Sequence, residues 1–244
     1  MKDHDRQAAL EQIRRHIEES GHHVYFVLGE SHPCFGYTIG LHETLGYELL
    51  FAGGADYVAS EIAEVLNVLA KRIKEGRVTP AGEYLLGDLG GFTLRDAHVS
   101  WAGELLLGAY DYYDTDKIAV RQVVPDTAHW TIDVPDTSIE WNATTQPIWK
   151  HLYEPWTCAF APDSTATTDL AALHGQKVTR ALRKEDGWEL FAEADVKPED
   201  VRRVPLSTLL AADPGLLPVA SLAPGKGLYR SGGDQPWVAA RVPG

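Results

Sequence analysis

The chain has 244 residues, of which 44% are hydrophobic and 23% charged, a composition typical of a globular protein with a buried core. This composition excludes a disordered tail, a fibrous repeat and a coiled coil. No apolar run approaches the roughly 18 residues of a membrane helix, and the first residues predict a polar helix rather than a signal peptide. Two cysteines are too few for a disulfide framework, so we expect a cytoplasmic protein of bacterial type without a membrane partner.

The charge of the chain is strongly acidic, with 22 basic and 35 acidic residues and a net charge of −13. Most of the excess lies in residues 78–176, which contain four basic and fourteen acidic residues. Nucleic-acid binding requires Lys and Arg to neutralise phosphates, so we expect no nucleic-acid partner. An acidic segment can instead attract a basic protein, or it can simply keep the protein in solution.

Residues 1–161 are predicted to form an α+β domain, an antiparallel sheet with flanking helices. Periodicity and turn residues predict, in chain order, a helix at 5–20, strands at 22–28, 34–41 and 49–52, a helix capped by Asp56 and ended by Gly76, strands at 84–89 and 92–99, a helix at 103–113 and a strand at 118–124. Residues 125–155 have turn chemistry and spaced tryptophans, which indicates a loop-rich wall packed on the core.

Residues 162–169 are small and polar and predict a linker. A smaller α+β module is predicted to follow in residues 170–244. It contains strands at 178–182 and 188–192, a helix at 206–212 and a final hairpin at 227–242.

Two glycines in the second predicted strand, Gly36 and Gly40, indicate a bulge or a close approach of another element to its backbone. This strand, residues 34–41 (CFGYTIGL), resembles the strand of a family of unknown function, the domain-of-unknown-function family 4262 (DUF4262). Three further segments carry the resemblance, at residues 48–51, 66–70 and 120–126. The resemblance spans about residues 22–126 and implies a fold unit without naming a reaction.

The C-terminal part carries a second resemblance, over about residues 176–237. The segment 183–191 (RKEDGWELF), the pair Asp213-Pro214 and a hairpin containing Arg230 are similar to the immunity-protein 33-like family (domain of unknown function 2185). The resemblance implies a protein that neutralises a toxin partner.

Candidate chemistry lies around the second strand and the turn after it. His42 is a candidate general base that Glu48 would orient, with Tyr37 as a further catalytic candidate. Ligand binding would use the hydroxyls of Tyr37 and Thr38 with two polar residues of a later strand, Arg121 and Gln122. Five potential metal ligands lie within residues 22–42, but their spacing matches no known motif, so we predict no metal site. The pattern names no cofactor.

The best candidate contact surface is an acidic and aromatic segment that contains Tyr110, Asp111, Tyr113, Asp114 and Asp116. Tyrosine supplies rigid contact area, and carboxylates pair with Lys or Arg across an interface. Two functions therefore stay open. The first is a non-catalytic binding module of the immunity type with a basic partner such as a toxin. The second is a small-molecule-binding protein or hydrolase-like enzyme.

Overall fold

The computed structural model describes residues 3–77, 82–115 and 117–240, and within these ranges the chain has the α+β class predicted from the sequence. The strands are β1 (His23–Val27), β2 (Phe35–Ile39), β3 (Glu48–Ala52), β4 (Tyr84–Leu85), β5 (Gly91–Asp96), β6 (Val120–Pro125), β7 (Thr165–Asp169), β8 (Arg180–Arg183), β9 (Trp188–Phe191), β10 (Val201–Pro205), β11 (Gly227–Tyr229) and β12 (Val238–Ala240). The α-helices are α1 (Asp3–Ser20), α2 (His42–Leu45), α3 (Ala59–Lys74), α4 (Val99–Leu105), α5 (Leu107–Tyr113), α6 (Leu170–Leu173), α7 (Leu206–Ala212) and α8 (Leu217–Ala220). Short 3₁₀ helices lie at Gly87–Leu89, Pro147–Leu152, Pro198–Asp200 and Pro214–Leu216.

The first sheet has the strand order β1-β2-β3-β6-β5-β4. Neighbouring strands pair antiparallel except at the centre, where β3 pairs parallel with β6. The expectation of an antiparallel sheet is therefore corrected to a mixed one. A parallel pair needs a long crossover, and here α3, β4, β5, α4 and α5 separate the two central strands.

The central strand β3 is buried on both faces of this sheet, which explains its continuous apolar sequence. Leu49 and Phe51 face α3, which packs on one side through residues including Leu66. Leu50 and Ala52 face the opposite side, where α1, α4 and α5 pack. The sheet therefore lies between two helical layers.

Three element boundaries differ from those predicted for this part of the chain. Helix α3 begins after Val58 rather than at Asp56, and Glu61 caps it by accepting from the Val58 N–H at 2.8 Å. The strand predicted at 84–89 contains two residues and then turns into a 3₁₀ helix. The predicted helix 103–113 is two helices, and α4 begins earlier because the His98 side chain caps it by accepting from the Ser100 N–H.

The close approach predicted from the glycines of β2 is confirmed. A Cβ on Gly36 would lie 3.2 Å from Leu66 of α3 and 3.2 Å from Phe26, tighter than an ordinary van der Waals contact, so glycine lets these side chains pack closely on the strand. Gly40 has a φ of +115°, a conformation that side chains rarely adopt, and it ends β2.

The second sheet has the order β10-β7-β9-β8-β11-β12, with β7 and β9 parallel and the other pairs antiparallel. The segment predicted as a linker, residues 162–169, contains β7, which lies inside this sheet. Ala166 and Thr168 alternate toward the buried face, and small residues fit there because α6 and α7 pack closely. The division of the chain into domains at this segment stays a prediction.

Direct contacts join the two sheets. The Arg202 side chain on β10 donates from Nε and Nη2 to the Asp56 carbonyl oxygen, at 3.0 and 2.7 Å. The Ser207 hydroxyl on α7 donates to the Ser31 carbonyl at 3.2 Å. Ala55, before α3, belongs to the apolar core of the second sheet.

Two residues of the C-terminal sequence motif meet in the second sheet. Arg230 is 3% exposed and donates from Nη2 to Asp213 Oδ2 at 2.9 Å and from Nε to the Val178 carbonyl at 2.7 Å. Its guanidinium also stacks over Trp237 at 4.3 Å from the ring centroid. The motif therefore ties the turn after α7 to the final hairpin.

Candidate functional site

A buried carboxylate lies at the turn between β2 and β3. Glu48 is fully buried, and its Oε1 accepts from the backbone N–H groups of Gly40, Leu41 and His42 at 3.0, 3.0 and 2.9 Å. Its Oε2 accepts from the Thr38 hydroxyl at 2.6 Å. These backbone donors stand at the start of α2, so Glu48 fixes the path of the chain between the two strands.

Tyr113, at the end of α5, completes this carboxylate site. Its hydroxyl donates to Glu48 Oε1 and accepts from the Gly40 N–H at 2.6 Å. Burial raises the pKa of Glu48, although the hydrogen bonds from Thr38, Tyr113 and the backbone act in the opposite direction. Burial and the neighbouring Glu48 carboxylate raise the pKa of Tyr113, so its hydroxyl keeps its proton at neutral pH.

His42 contacts Glu48 through its backbone N–H, and its imidazole packs against Tyr113 with ring centroids 5.3 Å apart. Its Nδ1 is buried and has no hydrogen-bond partner among the described residues. The predicted orientation of the imidazole by the Glu48 carboxylate is therefore not what the structure shows. The turn places the backbone, rather than the side chain, against the carboxylate.

The other residues predicted to bind a ligand are separated by the sheet. Tyr37 is 1% exposed, and its hydroxyl accepts from the Gly108 N–H at 3.1 Å on the α5 side. Gln122 is buried and bonds the Pro135 carbonyl and Thr137. Arg121, the preceding residue of β6, points to the opposite face.

On that face Arg121 donates from Nε to Asp96 at 2.9 Å and stacks over Tyr47. The Thr38 hydroxyl donates a hydrogen bond to Glu48 and accepts one from the Leu49 N–H at 2.9 Å. The four predicted ligand-binding residues thus do not meet in one pocket. Each of the four side chains has at least one structural partner instead, and Arg121 Nη1 is a buried polar atom of this set without a hydrogen-bond partner among the described residues.

The predicted acidic and aromatic contact segment is partly turned inward. Tyr113 contacts Glu48, and Tyr110 packs against the core of the first sheet. Asp111 forms an ion pair with Arg6 of α1, which lowers the pKa of the Asp111 carboxyl. Asp114 is exposed and has a φ of +51° at the end of α5. Asp116 lies outside the described residues.

A different exposed surface surrounds α4, and the sequence interpretation missed it. Exposed Val99, Ile139 and Tyr153 lie on it, with side chains 63%, 47% and 43% exposed. The Tyr153 hydroxyl donates to the Ser100 carbonyl, and its ring packs on Trp141 with centroids 4.2 Å apart. We call these residues, with Glu104, Glu140 and Glu154, the α4 surface.

Acidic residues border the aromatic part of the α4 surface. Glu140 and Glu154 are exposed and follow Ile139 and Tyr153 directly in the chain. Burial and the Glu104 carboxylate raise the pKa of Tyr153, so Glu104 adds negative charge to the same region. The surface combines apolar anchors with negative charge.

No candidate metal site is present in residues 3–77, 82–115 and 117–240, because no three His, Cys, Asp or Glu side chains lie close enough together to bind an ion. The predicted candidate ligands bond elsewhere. His22 contacts Asn67 at 2.8 Å, His23 contacts His16 at 2.8 Å, and His32 contacts the Pro33 carbonyl at 2.8 Å. Both cysteines, Cys34 and Cys158, are unpaired thiols.

The structure defines an α+β protein with two mixed sheets, a buried carboxylate that shapes the first sheet, and an exposed acidic and aromatic surface. Residues 16–130, just under half of the chain, match the family model described as a domain of unknown function, DUF4262. The match covers the first sheet and the Glu48 site. No curated protein and no solved structure matches the chain. No helix in the described ranges combines the length and apolarity required to cross a membrane.

Proposed function

We propose that this chain is a non-catalytic protein-binding module that uses an acidic surface to bind a basic protein. The observation that carries this proposal is the α4 surface, where exposed apolar and aromatic side chains lie beside carboxylates. Binding sites of this kind combine apolar anchors at the centre with a polar rim. Our proposal therefore uses the α4 surface as the binding site instead of the segment 110–116.

The aromatic part of the α4 surface is ordered before any partner arrives. Tyr153 is held by its hydrogen bond to the Ser100 carbonyl and by its packing on Trp141. The Trp141 N–H donates to the Ser100 hydroxyl oxygen at 2.9 Å, and Trp101 Nε1 donates to the Ile139 carbonyl at 3.0 Å. Ordered side chains lose little entropy on binding, which favours their use as anchors.

The charge of this region favours a basic partner. Residues 99–105 and 136–154 contain four acidic residues and one lysine. Opposite charges on two binding partners raise the rate at which they meet, and they weaken the binding of competitors that carry the same charge as the surface. Asp114 adds a further exposed carboxylate at the end of α5.

The immunity interpretation, in which the partner is a basic toxin in a bacterial cell, rests on the resemblance of residues 176–237. A cytoplasmic location is part of the same proposal. Both cysteines are free thiols, which is the state that a reducing compartment maintains. The alternative of a small-molecule-binding protein or hydrolase-like enzyme at Tyr37, Thr38, His42 and Glu48 has less support. The hydroxyls and the carboxylate of that site already bond one another or the backbone.

The test is comparative pull-down from an extract of the source cells, with retained proteins identified by mass spectrometry. The test variant carries Glu104→Lys, Glu140→Lys and Glu154→Lys. We expect it to lose a basic polypeptide that the unchanged protein retains, with association slowed about tenfold at low salt.

A matched control carries the same charge change at exposed positions away from α4, as Glu64→Lys, Glu185→Lys and Asp195→Lys. It should retain the partner, because its total charge changes equally while the α4 surface does not. Equal loss of the partner in both variants would show that the net charge of the protein, and not the α4 surface, determines binding. Equal retention in both would remove the α4 surface as the binding site.

A further inference from the structure

The junction between the two sheets contains a cluster of titratable side chains. Asp56 lies in the turn between β3 and α3, and its side chain is only 12% exposed. Two basic residues from the part of the chain that builds the second sheet reach this carboxylate. His174 Nε2, directly after α6, lies 3.6 Å from Asp56 Oδ2, and Arg202 Nη2, on β10, lies 3.8 Å from Asp56 Oδ1. The junction is therefore electrostatic as well as apolar.

His174 contacts the part of the chain that builds the first sheet through both of its ring nitrogens. Its Nδ1 lies 3.0 Å from the Trp130 carbonyl oxygen, in the loop after β6. A carbonyl oxygen only accepts hydrogen bonds, so Nδ1 carries a proton. A neutral imidazole has a single N–H, so its Nε2 would then direct a lone pair at the Asp56 carboxylate. Only the protonated ring, with an N–H on both nitrogens, makes both contacts favourable.

A backbone hydrogen bond joins the same two segments as His174. The Ile132 N–H donates to the Leu173 carbonyl at 2.8 Å. Leu173 is the last residue of α6 and directly precedes His174, while Ile132 lies just after Trp130 in the loop. The Ile132 amide is therefore protected from solvent exchange only while the two segments are docked.

The charges around Asp56 come from both parts of the chain. The charged and titratable groups that act on Asp56 are Tyr57 beside it, Glu61 of α3, His129 in the loop after β6, and the junction residues His174 and Arg202. Burial raises the pKa of Asp56, and the positive charges oppose this effect, that of His174 most strongly. Arginine stays charged near neutral pH, whereas histidine changes its charge there. Since His129 and Asp56 lie in the same part of the chain, His174 is the group whose titration changes the attraction across the junction.

We propose that His174 and Asp56 form a pH-sensitive latch, which fastens the second sheet to the first when the His174 imidazole is protonated. The latch is strongest where His174 is protonated and Asp56 is ionised. It weakens as the pH rises and the imidazole loses its proton, and it weakens again at acid pH where the Asp56 carboxylate takes up a proton. The latch does not depend on the binding of a protein at the α4 surface.

The test measures hydrogen exchange of single amides in the full chain by NMR, with each rate corrected for the intrinsic rate at the same pH. The resulting protection of the Ile132 amide reports the opening of the junction. The Thr179 amide, which donates to the Phe191 carbonyl at 2.9 Å within the second sheet, is the internal reference. We expect the ratio of Ile132 protection to Thr179 protection to be about threefold to fivefold higher at pH 6 than at pH 8.

Three variants separate the charge of His174 from its packing. His174→Asn keeps a side-chain N–H near the position of Nδ1 but does not titrate, and Asp56→Asn removes the negative charge, so each should abolish the pH dependence of the ratio. His174→Arg carries a permanent charge, so its ratio should stay high at both pH values. His129→Asn is the matched control, because His129 is bonded to Asp126 in its own loop at 2.8 Å. It should keep the pH dependence.

Three results would overturn the proposal. The first is a ratio in the wild-type protein that is equal at pH 6 and pH 8, a result that requires no variant to fold. The second is a pH dependence that persists in His174→Asn, which would show that another group titrates. The third is loss of the pH dependence in His129→Asn alone, which would assign the effect to His129.

Discussion

Glu48 in the first sheet and Asp169 in the second are both buried carboxylates, and both stand beside a four-residue helix. Glu48 accepts from backbone N–H groups at the start of α2. Asp169 accepts from the Ala172 N–H of α6 at 3.0 Å and from the Ala192 and Glu193 N–H groups after β9. The two differ in their side-chain partners, because Glu48 also binds the hydroxyls of Thr38 and Tyr113.

This comparison shows that the same chemical group performs one structural task twice. A carboxylate with several N–H donors satisfies backbone groups that a short helix and a turn cannot pair internally. Glu48 was interpreted as a catalytic candidate and Asp169 as the end of a linker, yet each one anchors a connection. Burial of a carboxylate is therefore not by itself an indication of catalysis in this protein.

The largest effect is expected at Glu48. Glu48→Ala leaves the Leu41 and His42 N–H groups and the Thr38 and Tyr113 hydroxyls without an acceptor, and the Gly40 N–H keeps only the Tyr113 hydroxyl. We therefore expect a loss of about 3–5 kcal/mol in the free energy of unfolding. Urea denaturation followed by circular dichroism measures it. A loss below 1 kcal/mol would mean that water replaces the carboxylate.

Asp169→Ala should cost less, about 2–3 kcal/mol, because it removes backbone acceptors and a helix cap but no side-chain partner. The same urea experiment compares the two variants directly. Asp169→Asn, which keeps one acceptor oxygen, serves as the conservative control. The comparison fails if Asp169→Ala is as destabilising as Glu48→Ala.

Tyr113→Phe tests the partner that distinguishes the first site. It removes the hydroxyl that donates to Glu48 and accepts from the Gly40 N–H, and both of these groups keep other partners. We expect a loss of about 1 kcal/mol. Tyr112→Phe, on the neighbouring residue, should have a smaller effect. Equal losses of stability in the two variants would show that the Tyr113 hydroxyl does not stabilise the Glu48 site.

The dependence of stability on pH should have opposite signs at the two sheets. Burial raises the pKa of Glu48, so its contribution is larger below the ordinary glutamate pKa and falls as the pH rises through the raised value. Asp213 is also partly buried, but its bonds to Arg230 and Lys177 outweigh burial and lower its pKa. Its contribution is present above the ordinary aspartate pKa and is lost as the pH falls through the lowered value.

Glu48→Gln and Asp213→Asn separate these contributions when urea denaturation is repeated between pH 3 and pH 8. The stability difference between wild type and Glu48→Gln should shrink as the pH rises. The difference between wild type and Asp213→Asn should shrink as the pH falls. Parallel curves for the two variants would contradict the assignment.

Much of the first sheet was predictable because its strands are apolar and its turns contain glycine. The runs 34–41, 49–52 and 118–124 contain β2 and most of β3 and β6. The parallel pairing of β3 with β6 was not predictable, because it depends on the packing of a long crossover. Strand β7 was missed because its threonines and alanine have low hydrophobicity, although their alternation matches a strand.

The sites show the same division between local and distant contacts. The spacing of His42 and Glu48 correctly indicated a contact, but the turn geometry decides that the backbone makes it. Tyr113 lies far along the chain, and nothing local indicates that it completes the Glu48 site. The α4 surface draws Val99, Ile139 and Tyr153 from three segments, so no single motif contains it.

The crossover between β3 and β6 has a consequence for synthesis on the ribosome. Strands β1, β2 and β3 emerge first with α3, but the apolar β3 has an open edge until β6 leaves the exit tunnel. An exposed apolar edge pairs readily with other chains. Nascent chains that stop before residue 120 therefore carry this edge uncovered, and we expect chaperones and proteases to remove such fragments.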